Sequence, residues 1–367
     1  MEAYLLKNVQ VIDPDTKQTE KRDVCIKDGV FADSVENGTV IEMDGCYLAP
    51  GFIDLHMHAF ENKTPLGIEV DKVGIRQGVL TVVDAGSTGI RDFDSFQKDI
   101  IDKSVTNVKF FLNIARQGLC DGLSELADMN DLITLDELLE FKKHHGENLV
   151  GLKVRMSSSV VKDSGIKPLE YARKLSDETG LPIMVHIGNA PPPLGEVLNL
   201  LRKGDILTHC FHGKKGGLCD YKEEFINAAD RGVHFDVGHG NASFSIETMP
   251  KVMAIKPIDF SISTDIYNSN FEKPVGSLMQ TMSKFLAAGL TIEEIVYKVT
   301  SLPAKVLKLK ENKVYAGEAA DCTIFKLVPK WKEIQLIDSE GVDIPSEKII
   351  LPVMTIKNGK KVWEGNV

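Results

Sequence analysis

Residues 51–58 read GFIDLHMH, an apolar run that closes on two histidines. Seven similar runs follow along the chain, with longer segments of helical period between them. In order, the eight runs are GFIDLHMH, VLTVVDAG, VKFFLNIA, LVGLKVRM, PIMVHIG, DILTHCF, VHFDVGHG and PIDFSIST. Apolar strands of this kind are typical of parallel sheets that are buried on both faces. The repeated alternation of strand and helix therefore predicts an α/β fold, a (β/α)8 TIM barrel.

The segments between these runs carry helix signals. Four of them read TLDELLEFKKHHG, PLEYARKLSDETG, GEVLNLLRKG and EEFINAADRG, and each ends in the glycine that commonly stops a helix. Thr134 and Glu137 have the spacing of a capping box. An open, doubly wound sheet is the alternative fold, but no glycine-rich phosphate loop follows the first strand.

The two ends of the chain have a different pattern. Short apolar runs there alternate with turn sequences such as KDG, MDG and NG, which are typical of β-hairpins. We therefore expect residues 1–50 and 316–367 to form one small β-sandwich domain. Residues 51–315 are expected to form the metal-binding TIM-barrel catalytic domain.

Composition limits the classes of function. The chain has 367 residues, 43% of them hydrophobic, which is enough for one large core and a satellite domain. Its net charge of −10 disfavours a nucleic-acid partner, because a phosphate backbone requires a concentrated basic face. The sequence has neither a membrane-length apolar stretch nor the pattern of a signal peptide. The six cysteines form no CxxC pair, so we expect free thiols in a reducing cytoplasm.

Histidines lie at the ends of several predicted strands, where a TIM barrel carries its chemistry. His56 and His58 are two residues apart, so both imidazoles can face the barrel mouth. His186 and His209 end the fifth and sixth runs. An HxH pair alone is a weak signal, but four such histidines are difficult to interpret as core packing, because a buried unpaired imidazole is costly. Imidazole is a preferred ligand of Zn²⁺ and similar metals.

Lys153 and Asp265 lie at the ends of the fourth and eighth strands. An ammonium beside divalent cations is unfavourable, so Lys153 fits a metal site only if CO₂ converts its amine to an anionic carbamate. A lysine paired with a nearby carboxylate is the equally open alternative. Asp265 fits a metal ligand that also accepts a proton, or else a turn or helix-capping residue.

PGFIDLHMH resembles the opening signature of the amidohydrolase superfamily, and the resemblance continues at Lys153, His186, His209 and Asp265. GEAADCTIF resembles the stretch at which chains of that family re-enter their small β domain, so the resemblance covers essentially the whole chain. It is closest to the binuclear subtype with a carboxylated lysine. GLKVRMSSS, MVHIGNAPPP and LTHCFHG look similar to a bacterial group named dihydroorotase-like or adenine deaminase-like, related to deacetylases of acetylated 2-hydroxy acids or N-acyl amino acids.

The resemblance implies a role for each of these residues. His56, His58 and Asp265 would bind the more buried of two divalent cations, with zinc expected, and His186 and His209 the more exposed one. Lys153, N-carboxylated by CO₂, would bridge the two. A hydroxide between the cations would attack the substrate carbonyl, and Asp265 would pass its proton to the leaving group.

Four further residues are candidates for binding the substrate. Arg155 lies two residues beyond Lys153, so it could grip a substrate carboxylate, although an ion pair with an acidic neighbour is an equal alternative. His239, flanked by two glycines, could bind substrate or simply occupy a turn on the rim. Tyr267 and Asn270 follow Asp265 and could line the pocket.

Three functions remain open at this stage. The first is a deacetylase, acting as an esterase or amidase on a small, anionic substrate such as an acetylated 2-hydroxy acid or N-acyl amino acid. The second is a cyclic amidohydrolase or aminohydrolase, of dihydroorotase or adenine deaminase type. The third is a catalytically inactive scaffold, which is disfavoured because such scaffolds lose metal ligands. Barrels of this kind often assemble, which leaves a homo-oligomer open.

Overall fold

The computed structural model describes residues 2–365, and every element below lies within that range. The strands are β1 (Ala3–Asp13), β2 (Gln18–Lys27), β3 (Val30–Ala32), β4 (Thr39–Glu42), β5 (Cys46–Pro50), β6 (Phe52–Met57), β7 (Val79–Ala85), β8 (Asn107–Asn113), β9 (Leu149–Met156), β10 (Ile183–Ile187), β11 (Ile206–Thr208), β12 (His234–Asp236), β13 (Phe260–Ser261), β14 (Cys322–Pro329), β15 (Lys348–Lys357) and β16 (Lys360–Glu364). The α-helices are α1 (Val70–Val73), α2 (Phe93–Phe96), α3 (Leu135–His145), α4 (Ser158–Val161), α5 (Lys167–Thr179), α6 (Leu194–Leu200), α7 (Lys222–Arg231), α8 (Thr248–Ile255), α9 (Leu278–Ala287), α10 (Ile292–Lys298) and α11 (Ser301–Leu307).

Strands β6 to β13 form the predicted barrel. They are parallel and hydrogen-bond in sequence order, and the eight strands are those expected from the eight apolar runs. A bridge between Met57 and Ile266 joins the first strand to the segment that follows the last one. The ring excludes the open, doubly wound alternative. The (β/α)8 prediction is therefore confirmed.

Asp54 holds together the seam at which β6 meets the end of the barrel. Its buried carboxylate accepts hydrogen bonds from the backbone N–H and the hydroxyl of Thr264, at 3.0 and 2.5 Å. The N–H of Asp265 donates to the carbonyl of His56 across the same seam, at 2.6 Å. The seam thus brings the first and last metal-ligand candidates side by side.

The last three barrel strands are much shorter than their apolar runs. The backbone turns into the left-handed region at His209 (φ 71°), directly after β11, at Gly238 (φ 47°), two residues beyond β12, and at Asp265 (φ 48°), four residues beyond β13. Left-handed conformations cannot continue a strand and are strained for residues with a side chain. The turn at His209 thus ends β11, and the other two redirect the backbone shortly after β12 and β13.

The predicted helices are present, but α6 ends at Leu200, four residues before the glycine expected to stop it. Thr134 and Glu137 make both hydrogen bonds of a capping box at the start of α3. α5 and α7 end at Gly180 and Gly232, which take the left-handed conformation that glycine favours. No helix among residues 2–365 combines the length and apolar character needed to cross a bilayer.

The two chain ends form one mixed sheet with the strand order β16-β15-β14-β5-β1-β2-β3, and β4 also pairs with β1. β14 lies between β5 and β15, so the C-terminal strands complete a sheet that the N-terminal strands begin. This sheet rests beside the barrel, where the hydroxyls of Thr323 and Thr355 donate to the carbonyls of Gly78 and Ile75.

Residues 330–347, between β14 and β15, form a crossing segment that leaves the small sheet and packs on the barrel. Ser339 exchanges backbone hydrogen bonds and side-chain contacts with the loop after β12, and its hydroxyl lies 3.0 and 2.9 Å from the carbonyls of His239 and Gly240. Leu336 and Ile344 of the segment join the barrel's apolar core. The small sheet therefore supports the barrel mouth directly.

Candidate metal centre

His56, His58 and Asp265 form a compact buried cluster at the carboxyl end of the barrel. The Nε2 atoms of both histidines lie 3.3 Å from the same carboxylate oxygen, Oδ1 of Asp265. The three side chains can present ligand atoms that all lie within 4.8 Å of one another. Two imidazoles and a carboxylate converging in this way are a suitable donor set for a divalent cation such as zinc.

The residues behind His56 and His58 fix which ring nitrogen faces the cluster. Thr208 donates its hydroxyl hydrogen to the buried carboxylate of Asp236 at 2.7 Å, so its oxygen accepts from Nδ1 of His56 at 2.9 Å. Nδ1 of His56 therefore carries the proton, and Nε2, which faces Asp265, carries the lone pair. The hydroxyl oxygen of Ser87 lies 2.9 Å from Nδ1 of His58, so Nε2 is the ring nitrogen that faces Asp265. Partners of this kind orient metal-binding histidines and raise their basicity.

Lys153 reaches the same cluster from β9. Its Nζ lies 3.3 Å from Nε2 of His56 and 3.3 Å from the sulfur of Met184. Burial lowers the pKa of Lys153 to about 7, an effect that the charge of Asp265 partly opposes. Gly86 allows this approach, because a Cβ at that position would lie 2.6 Å from Cβ of Lys153. The amine thus contacts a histidine and a thioether, and no carboxylate among residues 2–365 lies at ion-pairing distance from it.

His186 and His209 form a second pair beside the first cluster. Nε2 of His209 lies 2.7 Å from Nδ1 of His186, and the ring of His209 is 5.2 Å from that of His56, centroid to centroid. Nδ1 of His209 lies 2.7 Å from the carbonyl of Gly238, which can only accept, so Nε2 carries the lone pair. The histidines from β6, β10 and β11 are therefore contiguous.

Burial keeps the imidazoles of His56, His186 and His209 uncharged. It lowers the pKa of His209 to about 3, and it holds the pKa values of His56 and His186 well below their usual range, reinforced by Lys153 for His56 and by His209 for His186. Neutral imidazole is the form that binds a cation. The residues present thus fit the metal that the sequence pattern implies.

Arg155 makes an ion pair with a buried carboxylate. Its Nη1 donates to both oxygens of Glu125, at 3.3 and 3.1 Å, and the side chain of Glu125 is 1% exposed. The positive charge of Arg155 is therefore balanced within the protein. This is the arrangement that the sequence left open as the alternative to a substrate clamp.

His239 contacts a second buried lysine. Nδ1 of His239 donates to the carbonyl of Gly240 at 3.0 Å, and Nε2 accepts from Nζ of Lys284 on α9 at 2.9 Å. Nζ of Lys284 also donates to the carbonyl of Pro274 at 2.6 Å. Both nitrogens of His239 are thus engaged by the protein.

Tyr267 and Asn270 occupy the loop after β13. The amide of Asn270 donates to the carbonyl of Asp265 at 2.8 Å and accepts from the N–H of Tyr267 at 2.8 Å. The ring of Tyr267 lies 6.2 Å from that of His58, centroid to centroid. Tyr267 thus borders the cluster, and Asn270 fixes the backbone that carries Asp265.

Several residues that support the site escaped the sequence analysis. Some left a usable signal, because they lie one or two positions from a predicted ligand on the same strand. Others come from different strands, loops or helices, and nothing local distinguishes them. The first kind comprises Asp54 and Thr208, and the second Ser87, Glu125, Asp236 and Lys284.

Comparisons with known proteins agree with this geometry. Residues 47–362 match the profile of the amidohydrolase family. The chain is 39% identical over 308 residues to a deacetylase of Agrobacterium fabrum, covering 82% of this chain and 75% of that protein. It is 38% identical over 330 residues to a deacetylase of Enterococcus faecalis, covering 86% of each. A solved structure described as a dihydroorotase superposes with a TM-score of 0.91 at 34% identity, covering 99% of this chain and 98% of that chain.

Proposed function

The chain belongs to the amidohydrolase family, and from that premise we propose that it is a zinc-dependent deacetylase with two cations at the barrel mouth. Its substrate would be an acetyl ester or amide of a small carboxylic acid, such as an acetylated 2-hydroxy acid or an N-acyl amino acid. The observation that carries the proposal is the convergence of His56, His58 and Asp265 with the amine of Lys153 beside them. The family uses a divalent metal, and these residues offer it ligands.

The residues of the cluster have separate proposed tasks. His56, His58 and Asp265 would hold one cation, and His186 and His209 the other. When bound, such a cation acidifies water and polarises a carbonyl group. Asp265, whose side chain is 12% exposed, keeps a carboxylate within reach of the mouth and would accept a proton there.

We propose that Lys153 is N-carboxylated. Its Nζ has a histidine nitrogen and a thioether sulfur as neighbours, but no carboxylate at ion-pairing distance among the described residues. The ion-paired alternative for this lysine is therefore weakened. A carbamate would convert a buried amine into an anion with two oxygens, which suits a position next to both histidine pairs.

The decisive experiment is an activity screen of metal-free and zinc-loaded protein. Acetylated amino acids and acetylated 2-hydroxy acids of both hands serve as substrates, and released acetate is measured. We expect hydrolysis of an anionic acetyl compound that a chelator abolishes and zinc restores. The proposal would be refuted if the zinc-loaded protein released no acetate from any acetylated amino acid or acetylated 2-hydroxy acid.

A cyclic amidohydrolase is the second candidate, because the superposed structure is described as that of a dihydroorotase. The relatives named deacetylase share more identity with the chain, 38 and 39% against 34%. Dihydroorotate and adenine therefore belong in the same screen, with ring opening and released ammonia, respectively, as the measured products. Turnover of either at a rate above that of every acetyl compound would favour the second candidate.

A further inference from the structure

His212 is a buried histidine whose ring the protein does not satisfy. It is 4% exposed, and neither Nδ1 nor Nε2 has a hydrogen-bond partner among residues 2–365. Buried polar side chains almost always have a partner, and each exception requires an explanation. A histidine ring offers a donor and an acceptor when neutral, so a ligand with polar atoms would satisfy it.

The position of His212 relates it to the candidate metal centre. It lies four residues beyond β11, and its N–H donates to the carbonyl of His209 at 3.3 Å. Its ring packs on Gly217, where a Cβ would lie 3.1 Å from Cε1. The N–H of Gly216 donates to the carboxylate of Asp220 at 2.7 Å and closes the loop. The ring is thus held in place at the end of the barrel where the ligands converge.

Lys214, in the same loop, is an exposed cation without an ion pair or a side-chain hydrogen bond among the described residues. Lys214 lies two residues beyond His212, and both pack on Gly217: a Cβ there would lie 3.5 Å from the carbonyl oxygen of Lys214 and 3.1 Å from Cε1 of His212. The charge of Lys214 also lowers the pKa of His212, after the larger effect of burial. Glu340 of the crossing segment packs on Gly213, the residue between His212 and Lys214 in the chain. It forms no ion pair with Lys214.

The distribution of charge at the mouth favours this loop as the anion-binding element. The guanidinium of Arg155 is already balanced by buried Glu125. An anionic substrate gains more from a cation that has no carboxylate of its own, because a buried pair has already exchanged its hydration for that partner. Lys214 is such a cation, and His212 adds a neighbouring hydrogen-bond donor.

We propose that His212 and Lys214 form the subsite for the substrate's carboxylate, the group on the acid portion that is released after deacetylation. This inference rests on the proposed function for the identity of the substrate. It moves recognition of the anion from Arg155, on β9, to the loop of residues 212–217. His212 would contact the substrate directly, and Lys214 would supply the charge.

The test compares two substrates and three variants of the zinc-loaded enzyme. The substrates are an acetylated 2-hydroxy acid and its primary amide, which lacks the negative charge. The variants are His212→Phe, Lys214→Met and, as the matched control in the same loop, Lys215→Met. We expect KM for the acid to rise about tenfold or more in the first two variants, because hydrogen bonds to charged groups are the strong ones. KM for the amide and the control should change little.

His212→Phe also separates a ligand-binding role from a structural one. Phenylalanine retains a ring but removes two polar atoms that have no partner, so folding alone would favour it. We expect the melting temperature to hold or rise while KM for the acid rises. A higher melting temperature with an unchanged KM for the acid would overturn the proposal, as would an equal rise of KM for acid and amide.

A binding measurement separates failure of this inference from failure of the proposed function. Lactate and lactamide are titrated calorimetrically into zinc-loaded wild type and the three variants, and no turnover is required. We expect lactate, but not lactamide, to bind about tenfold more weakly to His212→Phe and Lys214→Met. Equal lactate affinity in all four proteins would refute the subsite whether or not the wild type hydrolyses acetyl compounds.

Discussion

Lys153 and Lys284 are both buried, and the amine of each lies next to a histidine ring, yet their surroundings differ. Lys284 donates to the carbonyl of Pro274 and to His239, so its amine has the acceptors that it requires. Within the described part of the chain, the amine of Lys153 has only a histidine nitrogen and a thioether sulfur at hydrogen-bonding distance. Burial lowers the pKa of each to about 7. The difference favours a structural role for Lys284, and it supports the proposal that Lys153 is N-carboxylated.

Lys153→Ala tests this contrast with the largest expected effect. Activity should fall by at least about a hundredfold, because even residues behind metal ligands typically cost about 10- to 100-fold when removed. Short carboxylic acids added to the assay should restore part of the activity by supplying the missing bridge. Steady-state kinetics with and without acetate or propionate measure both effects. Full activity of the unsupplemented variant would rule out the carbamate.

Thr208→Val tests how the ring of His56, which contacts Lys153, is oriented. The variant keeps the shape of the side chain but removes the link between His56 and Asp236. We expect metal affinity to fall about 10- to 100-fold, since the orientation of the ligand is lost. Competition with a fluorescent zinc chelator measures this affinity. Unchanged affinity would show that packing alone orients the ring of His56.

Lys284→Met tests the other side of the comparison. It leaves the carbonyl of Pro274 and Nε2 of His239 without their donor, so the free energy of unfolding should fall by about 1–3 kcal/mol. Zinc content and kcat of the folded variant should stay within a few-fold of the wild type. Urea unfolding and metal analysis provide the readouts. A variant that is fully stable but inactive would place Lys284 in the catalytic machinery instead.

The smallest effect concerns pH. Because burial lowers the pKa of Lys284 to about 7, the folded chain binds fewer protons than the unfolded chain between pH 7 and the ordinary lysine pKa of about 10.4. Folding stability contributed by this group therefore increases as pH rises through that window. The difference in unfolding free energy between wild type and Lys284→Met should grow from pH 7 to pH 9. A constant difference would show that Lys284 stays charged in the fold.

The sequence alone was sufficient to predict the eight-stranded barrel and the polar residues at the ends of its strands. Each barrel strand is apolar enough to be recognised, and the ligand candidates follow it directly in the chain. The sequence could not predict the contacts that decide between the alternative roles of Arg155 and His239, because these contacts join residues that are distant in the chain. Glu125, which pairs with Arg155, comes from an irregular loop, and Lys284 lies on a helix 45 residues beyond His239. Left-handed turns at His209 and Asp265 likewise depend on tertiary structure, since residues with a side chain adopt them only rarely and no local pattern marks these two positions.

The seam between β6 and the segment after β13 has a consequence for how the protein folds during its synthesis. His56 and His58 enter the ring first and Asp265 last, more than two hundred residues later, so a cation held by all three would crosslink the two ends of the ring. A chain still emerging from the ribosome without Asp265 cannot assemble this centre. Metal could then bind this centre only after the whole barrel has been synthesised. The bound ion would stabilise the closed barrel, because it binds the folded state and not the unfolded one.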